Sequence, residues 1–160
     1  MRKISILFLL TLASCQSTFY VVRHAEKVDN SSDAALSEVG KQRANVLKDL
    51  LLTKKISKIY STDFARTRNT ALPLAQAINI SILIYKAQNQ KVLIDSLKKV
   101  KAKNILIVGH SNTVRYVVNG LFEKDTLRKD LAENEFDNLF IVKRGKTKRQ
   151  FYAQKYGMTK

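Results

Sequence analysis

Strand-like apolar runs alternate with helical patterns along the chain, and this alternation constrains the fold more than any other feature. Residues 19–23, 56–61, 80–85 and 104–109 are short runs rich in β-branched and aromatic residues. Helical spacing of apolar residues begins after Ser37 and recurs over about 64–78, 92–100 and 111–121. Such alternation predicts a three-layer α/β sandwich with a mainly parallel central sheet and helices on both faces. Residues 138–142 and 149–153 flank the turn KRGKT and predict a C-terminal hairpin.

The length and composition of the chain allow one domain. Its 160 residues, 45% of them apolar, can close one ordinary hydrophobic core. With one Pro and five Gly, the chain has no linker-like segment that would divide it. We therefore predict a single domain over residues 19–160, in which Ser37 caps the first helix and Val39 and Val92 belong to apolar helix stripes.

The first fifteen residues have the pattern of a signal peptide. A charged start, MRK, precedes the apolar stretch 4–12, which is too short to span a bilayer as a helix. Leu12-Ala13-Ser14-Cys15 resembles the lipobox of bacterial lipoproteins, which implies cleavage of residues 1–14, lipidation of Cys15 and a short tether over residues 15–18. We expect a lipoprotein anchored in a membrane of the cell envelope. The alternative is an N-terminal strand with a buried cysteine, which would leave the protein in the cytoplasm.

The chain is strongly basic. Its formal net charge is +16, and loss of residues 1–14 with Arg2 and Lys3 would leave +14. Such a charge favours phosphate-bearing partners, whether an anionic lipid surface, a nucleic acid or a small phosphoester. Lysine runs of this kind also occur for solubility alone, and charge does not account for the two histidines described next. We therefore expect a membrane partner, through a lipid anchor and a basic surface, and no specific nucleic acid.

The only two histidines in the chain, His24 and His110, each follow a strand-like run directly. In parallel α/β sheets the carboxyl ends of the strands form the ligand crevice, so both side chains are expected there. Arg66 lies near the start of the helix predicted over about 64–78, which follows the strand-like run 56–61. The free backbone N–H groups at the start of a helix favour an anion. Arg23, Arg66 and that helix terminus could hold one phosphate, because guanidinium groups bind phosphate through paired hydrogen bonds. Arg68 is expected to face solvent.

Three motifs carry a resemblance to the histidine phosphatase superfamily, also called phosphoglycerate mutase-like. Arg23-His24-Ala25-Glu26 resembles its RHG motif with Ala in place of Gly, residues 61–71 resemble its second motif, and residues 108–111 resemble the motif of its second histidine. The resemblance implies a phosphatase that hydrolyses phosphate monoesters of a small substrate through a phosphohistidine on His24. Arg23, Arg66 and His110 would bind the phosphate and stabilise the transition state. No metal and no cofactor are implied.

The general acid of that family is not evident in the sequence. Between Thr67 and Gly109 the only acid is Asp95, whose helical position predicts a surface residue. Glu26 is a possible general acid, and an equally good partner for an Arg or Lys side chain. The length favours a phosphatase over a mutase. Without an acid, the alternative is a non-catalytic or weakly active phosphate-binding lipoprotein. Phosphosugars, nucleotides and lipid or lipopolysaccharide head groups all remain open as substrates.

Overall fold

The computed structural model describes residues 16–101 and 103–157 and has the predicted α/β architecture. The predicted signal peptide, residues 1–14, and Cys15 lie outside the described residues. The strands are β1 (Ser17–Arg23), β2 (Ile56–Thr62), β3 (Ile82–Tyr85), β4 (Asn104–Gly109), β5 (Asn138–Arg144) and β6 (Arg149–Lys155). The helices are α1 (Glu38–Leu51), α2 (Ala65–Ala77), α3 (Gln90–Lys98) and α4 (Ser111–Phe122), and a 3-10 turn covers Leu52–Lys54.

The six strands form one mixed sheet in the order β3-β2-β4-β1-β5-β6. The first four of these are parallel, and β5 and β6 run antiparallel as the predicted C-terminal hairpin. Because β1 and β4 are parallel neighbours, with Val22 opposite Val108, the residues that follow both strands leave the sheet at the same edge. We call this the carboxyl edge, and the opposite one the amino edge.

Alternate residues of the central strands face opposite layers of helices. Phe19 and Val21 of β1 belong to a core cluster with residues of α3 and α4. Tyr20 and Val22 belong to a second cluster with residues of α1 and α2. Both faces of the central strands are therefore buried, which explains why these runs are continuously apolar. The predicted three-layer sandwich is confirmed.

Helix α1 begins as the sequence predicts, because the Ser37 hydroxyl oxygen accepts a hydrogen bond from the backbone N–H of Gly40 at 3.1 Å. Two of the apolar stripe positions were predicted wrongly. Val39 is 51% exposed and Val92 is 61% exposed, since each lies in the first turn of its helix and turns away from the sheet. Among the described residues, no helix is long and apolar enough to cross a membrane.

Candidate active site

Both histidines lie at the carboxyl edge, as their sequence positions predict. His24 directly follows β1 and His110 directly follows β4, and the two ring centroids are 5.5 Å apart in an edge-on arrangement. A hydrogen bond from the backbone N–H of His24 to the carbonyl of Gly109, at 2.9 Å, extends the strand pairing to this point. The sheet itself therefore sets the distance between the two imidazoles.

The His24 ring is held in one tautomer by the backbone. Its Nδ1 atom lies 2.8 Å from the carbonyl oxygen of Ala25, and since a carbonyl can only accept, Nδ1 carries the proton. The lone pair of the neutral ring is then on Nε2. The pKa of His24 is lowered to about 3, chiefly by burial of the ring and further by the charge of Arg23, although the Ala25 carbonyl opposes the shift. The ring is neutral at physiological pH and has a nucleophilic nitrogen.

His110 is oriented by two threonines. Its Nε2 atom lies 2.8 Å from the hydroxyl oxygen of Thr62, which is 3.0 Å from that of Thr67. The Thr67 hydroxyl lies 2.9 Å from the carbonyl oxygens of Thr62 and Phe64 and donates to one of them, so Thr62 donates to Thr67 and accepts from His110. The neutral ring therefore carries its proton on Nε2. Burial, with the charge of Arg66, lowers the pKa of His110 to about 4.

Arg23 is a buried cation at the base of the site, with 4% of its surface exposed. Its Nη1 donates to the carbonyl oxygens of Ala132 at 2.6 Å and Glu133 at 3.2 Å, and its guanidinium lies 4.3 Å from the ring centroid of Phe136. These contacts dock the segment that connects α4 and β5 onto the end of β1. Nε of Arg23 is buried without a hydrogen-bond partner in the described part of the chain, which is unusual for a buried donor.

The two arginines of α2 have different surroundings. Arg66 lines the pocket described below, lies over the Phe64 ring at 4.5 Å and donates from Nη1 to the carbonyl of Ser32 at 2.9 Å. Arg68 forms an ion pair with Asp63 instead, which agrees with the predicted surface role. The helix terminus was expected to help bind the phosphate, but the N–H of Ala65 already donates to Asp33 at 2.6 Å.

An open pocket of about 570 Å³ lies over the two histidines. Arg23, Arg66, His24 and His110 all line it, so the four predicted phosphate-binding and catalytic side chains share one space. Cationic and uncharged polar side chains make up much of the remaining lining, namely Lys27, Gln88, Gln90, Ser111, Asn112 and Thr113. Within residues 16–101 and 103–157, Glu133 is the only carboxylate that lines the pocket. The surroundings are those of an anion-binding site.

Glu26 is not one of the described residues that line the pocket. Its carboxylate accepts hydrogen bonds from Nη2 and Nε of Arg43, at 2.6 and 2.8 Å, and Arg43 also donates to the carbonyl of Tyr156. Burial is the largest single influence and raises the pKa of Glu26, but the hydrogen bonds from Arg43, a backbone hydrogen bond and the charge of Arg43 together outweigh it, so the pKa is lowered. Of the two roles that the sequence allowed for Glu26, general acid or partner of a basic side chain, the structure shows the second. Asp95 pairs with Lys91 at 2.6 Å on the exposed face of α3.

The sequence did not identify Glu133, Phe136 or Thr62 as site residues. Glu133 and Phe136 belong to the segment between α4 and β5, outside the three motifs. The one feature of the sequence that could have pointed to this segment is its group of acidic residues, AENEFD, in a basic chain. The described residues contain no group of three or more His, Cys, Asp or Glu side chains that could hold a metal ion.

Comparison with known proteins gives one family match and several structures with the same fold. The sequence model of the histidine phosphatase superfamily (branch 1) matches residues 19–88. No curated protein sequence matches the chain. Several solved structures have the same fold over most of their length. Their sequences are 20% identical to this chain or less, so the likeness concerns the fold alone.

Three of these structures illustrate the match. A SixA protein of Agrobacterium tumefaciens, a candidate phosphohistidine phosphatase, is 20% identical, with a TM-score of 0.63 over 84% of this chain and 95% of that one. The protein histidine phosphatase SixA, in complex with tungstate, is 16% identical, with a TM-score of 0.69 over 86% and 96%. Bacillus stearothermophilus YhfR is 15% identical, with a TM-score of 0.71 over 86% and 96%.

Proposed function

Since the chain belongs to the histidine phosphatase superfamily, we propose that it is a phosphatase in which His24 receives the phosphoryl group and then passes it to water. The observation that carries the proposal is the fixed tautomer of His24. Its Nδ1 proton is held by the Ala25 carbonyl at 2.8 Å, so the lone pair on Nε2 belongs to a neutral ring that lines an anion-binding pocket.

The chemistry requires two displacements at phosphorus. In the first, the Nε2 lone pair of His24 forms a bond to phosphorus while the bond from phosphorus to the leaving group breaks. In the second, the oxygen of water forms a bond to phosphorus, the N–P bond breaks and the proton of the water passes to the carboxylate of Glu133, which lines the pocket. Arg23 and Arg66 would stabilise the equatorial oxygens in both steps because their charges are fixed in the pocket before the substrate arrives.

His110 would respond to the charge of the substrate. The pKa of its ring is lowered to about 4 by burial and by nearby Arg66. The opposite charge of a bound phosphate dianion would counteract this lowering and favour the imidazolium, in which Nε2 still donates to Thr62. Charge that develops on the phosphoryl oxygens would then be met by a third cation beside the two arginines.

A phosphate ester of an alcohol needs a proton for its leaving oxygen. Glu133, the described carboxylate that lines the pocket, lies with Oε2 at 3.9 Å from Nη2 of Arg23 and is the group in position to supply that proton. Its side chain is 97% exposed, so it can turn toward a substrate without disturbing the core. Glu133 therefore takes the role that the sequence assigned to Glu26 as a possibility.

A phosphoramidate, such as phosphohistidine, is the second candidate substrate. One observation favours it: the Glu133 side chain is 97% exposed and its carboxylate lies 3.9 Å from Arg23, which is a loose ion pair. An imidazole leaving group can carry its own proton and depends less on an acid. Two of the three structures described above are SixA proteins, one described as a protein histidine phosphatase. The weakly active phosphate-binding alternative is disfavoured because binding alone would not need the fixed tautomer of His24.

The direct test is phosphate release from p-nitrophenyl phosphate, a substrate whose leaving group needs no acid. We expect the wild-type protein to release phosphate and His24→Ala to be inactive. Arg68→Ala is the matched control, because Arg68 pairs with Asp63 outside the pocket and its loss should leave turnover intact. A wild-type protein that binds phosphate without any turnover would refute the phosphatase and favour the binding-only alternative.

A further inference from the structure

Exposed lysines from three separate segments lie at the amino edge of the sheet, opposite the pocket. One group precedes β2, one precedes β4 and one occupies the turn between β5 and β6. Since the parallel strands begin at this edge and β5 ends here, the three groups lie at one end of the domain. We call this surface the lysine edge, and its seven exposed members are Lys54, Lys55, Lys99, Lys101, Lys103, Lys146 and Lys148.

Contacts around the start of β1 join the three segments. The Ser17 hydroxyl donates to the carbonyl oxygen of Val100 at 3.0 Å, and the side-chain amide of Asn104 donates to the carbonyl of Lys54 at 2.6 Å. Ser17 also pairs across the sheet with Arg144, the last residue of β5. The loop before β2, the loop before β4 and the β5–β6 turn therefore all lie beside the first residue of β1.

The lysine edge carries a net positive charge. An acid at this end of the domain, Glu123, is already neutralised by Lys98, Arg144 and Arg149. The lysines that form ion pairs in the described part of the chain lie outside the lysine edge, and they are Lys41, Lys48, Lys91, Lys98 and Lys155. A partner with a dense negative surface would supply the charge that the fold does not.

We propose that the lysine edge is the face through which the domain docks on an anionic lipid membrane. The choice of a membrane over nucleic acid rests on what precedes β1. Ser17 lies among the three lysine segments, so Cys15, two residues earlier in the chain, is joined to the domain at this face. The mainly apolar stretch 4–12 ends three residues before Cys15. An apolar or lipidated segment next to a basic surface has the two signals that stable membrane attachment requires.

This orientation restricts the substrate. The strands β1, β2 and β4, which lead from the lysine edge to the pocket, are six or seven residues long, so the pocket lies about 20 Å from the lysine edge at roughly 3.3 Å per residue. A domain that rests on its lysine edge points Arg23, His24 and His110 away from the bilayer. Its substrate is then a soluble phosphorylated molecule or a protein, and not a head group of the same membrane. The docking face itself does not depend on the proposed phosphatase activity.

The first test measures binding of the full chain to vesicles of phosphatidylcholine with and without 30% phosphatidylglycerol. Comparison of the two vesicles separates the lysine edge from any apolar insertion, which both vesicles allow. A triple variant, Lys54→Gln, Lys101→Gln and Lys148→Gln, removes one charge from each segment. Each lysine at an anionic surface contributes about fivefold, so we expect the preference for anionic vesicles to fall by about 100-fold. The control with equal charge loss is Lys86→Gln, Lys91→Gln and Lys129→Gln.

Two results would overturn this assignment. Equal losses in the triple variant and its control would mean that net charge acts without a defined face. Displacement of the protein from anionic vesicles by duplex DNA at equal phosphate concentration would indicate a nucleic-acid surface. Two results together would support the membrane face. The wild-type protein keeps its preference for anionic vesicles in the presence of DNA, and the triple variant loses this preference while its control keeps it.

The second test measures orientation and is independent of affinity. In a Cys15→Ser background, a fluorophore is attached at Thr147→Cys in the β5–β6 turn or at Asn30→Cys in the loop after β1. Nitroxide-labelled lipid head groups should quench the probe at position 147 and leave the probe at position 30 unchanged. Equal quenching at both positions, or stronger quenching at position 30, would contradict the proposed orientation. The background keeps all seven lysines, so loss of a lipid at Cys15 does not remove the face under test.

Discussion

Arg66 and Arg68 stand two residues apart on α2, and only Arg66 lines the pocket that contains the two histidines. Arg68 is held by Asp63 in an ion pair. The two side chains have the same charge and lie on the same helix, so they form a matched pair for testing which cations bind the substrate phosphate.

Arg66→Ala should lower kcat/KM for p-nitrophenyl phosphate by about 10² to 10³, on the scale of losing one strong donor to a developing oxyanion. Arg68→Ala should change kcat/KM by less than about threefold. Arg68 forms an ion pair with Asp63 outside the pocket, and loss of an exposed ion pair has little effect on the stability of the fold. Steady-state kinetics of the two variants measure the difference. Similar small losses in both would mean that Arg66 does not bind the phosphate.

The stability of the protein should depend on pH between about 5 and 6.5 through the histidines. Unfolded histidine has a pKa of about 6.5, whereas the pKa of His24 is lowered to about 3 and that of His110 to about 4 by burial. The unfolded chain therefore binds more protons in this range, and the free energy of unfolding falls as pH falls. The slope approaches about 1.4 kcal/mol per pH unit for each histidine.

Because the chain has only two histidines, this slope can be assigned by mutation. Urea unfolding from pH 5 to pH 7 should show it in the wild-type protein and in Arg68→Ala. The double variant His24→Gln and His110→Gln should give a nearly constant free energy of unfolding over the same range. A double variant that keeps the wild-type slope would show that other groups cause it and that folding does not lower the pKa values of the two rings.

A comparison of two substrates tests whether Glu133 acts as the general acid or only supports its loop, because an alkyl phosphate needs an acid for its leaving group and p-nitrophenyl phosphate does not. Glu133→Gln should lower kcat/KM for an alkyl phosphate by about 10² or more, the usual contribution of a general acid, and leave p-nitrophenyl phosphate nearly unchanged. Glu135→Gln is the control in the same loop, since Glu135 accepts a hydrogen bond from the backbone N–H of Ala132 at 2.7 Å and does not line the pocket. It should affect both substrates alike. Equal effects of Glu133→Gln on the two substrates would remove Glu133 as the acid.

Attachment to a membrane is a prediction from the sequence of residues 1–15. If Cys15 is lipidated, the wild-type protein should fractionate with membranes after a high-salt wash, and Cys15→Ser should be left uncleaved or released. Mass spectrometry of the mature N-terminus gives the same answer independently. A wild-type protein that is unacylated and begins at Met1 would contradict the lipoprotein hypothesis.

The sequence predicted the parts of the site that the sheet determines. Parallel strands bring their carboxyl ends to one edge, so the places of His24 and His110 could be inferred from two apolar runs alone. The cap of α1 by Ser37 was equally local. Val39 and Val92 were predicted wrongly because periodicity cannot tell how far the first turn of a helix extends past the sheet.

The remaining parts of the site depend on contacts between residues that are distant in the chain. Glu133 reaches the pocket because Arg23, 110 residues away, binds its backbone carbonyl. Glu26 is directed away from His24 by Arg43, a partner that no local pattern identifies. The orientation of His110 depends on Thr62, which is 48 residues earlier. Such contacts follow from the packing of loops, which leave no periodic signal in the sequence.

The central claim is that Nε2 of His24 takes the phosphoryl group, and it is tested most directly by trapping the intermediate. The protein is quenched with acid-free denaturant during turnover of a ³²P-labelled substrate and digested, and the labelled peptide is identified. We predict a base-stable, acid-labile label on the peptide that contains His24, which is absent in His24→Ala and forms more slowly, at the same position, in His110→Ala. A label on His110, or measurable turnover with no labelled histidine, would contradict the account.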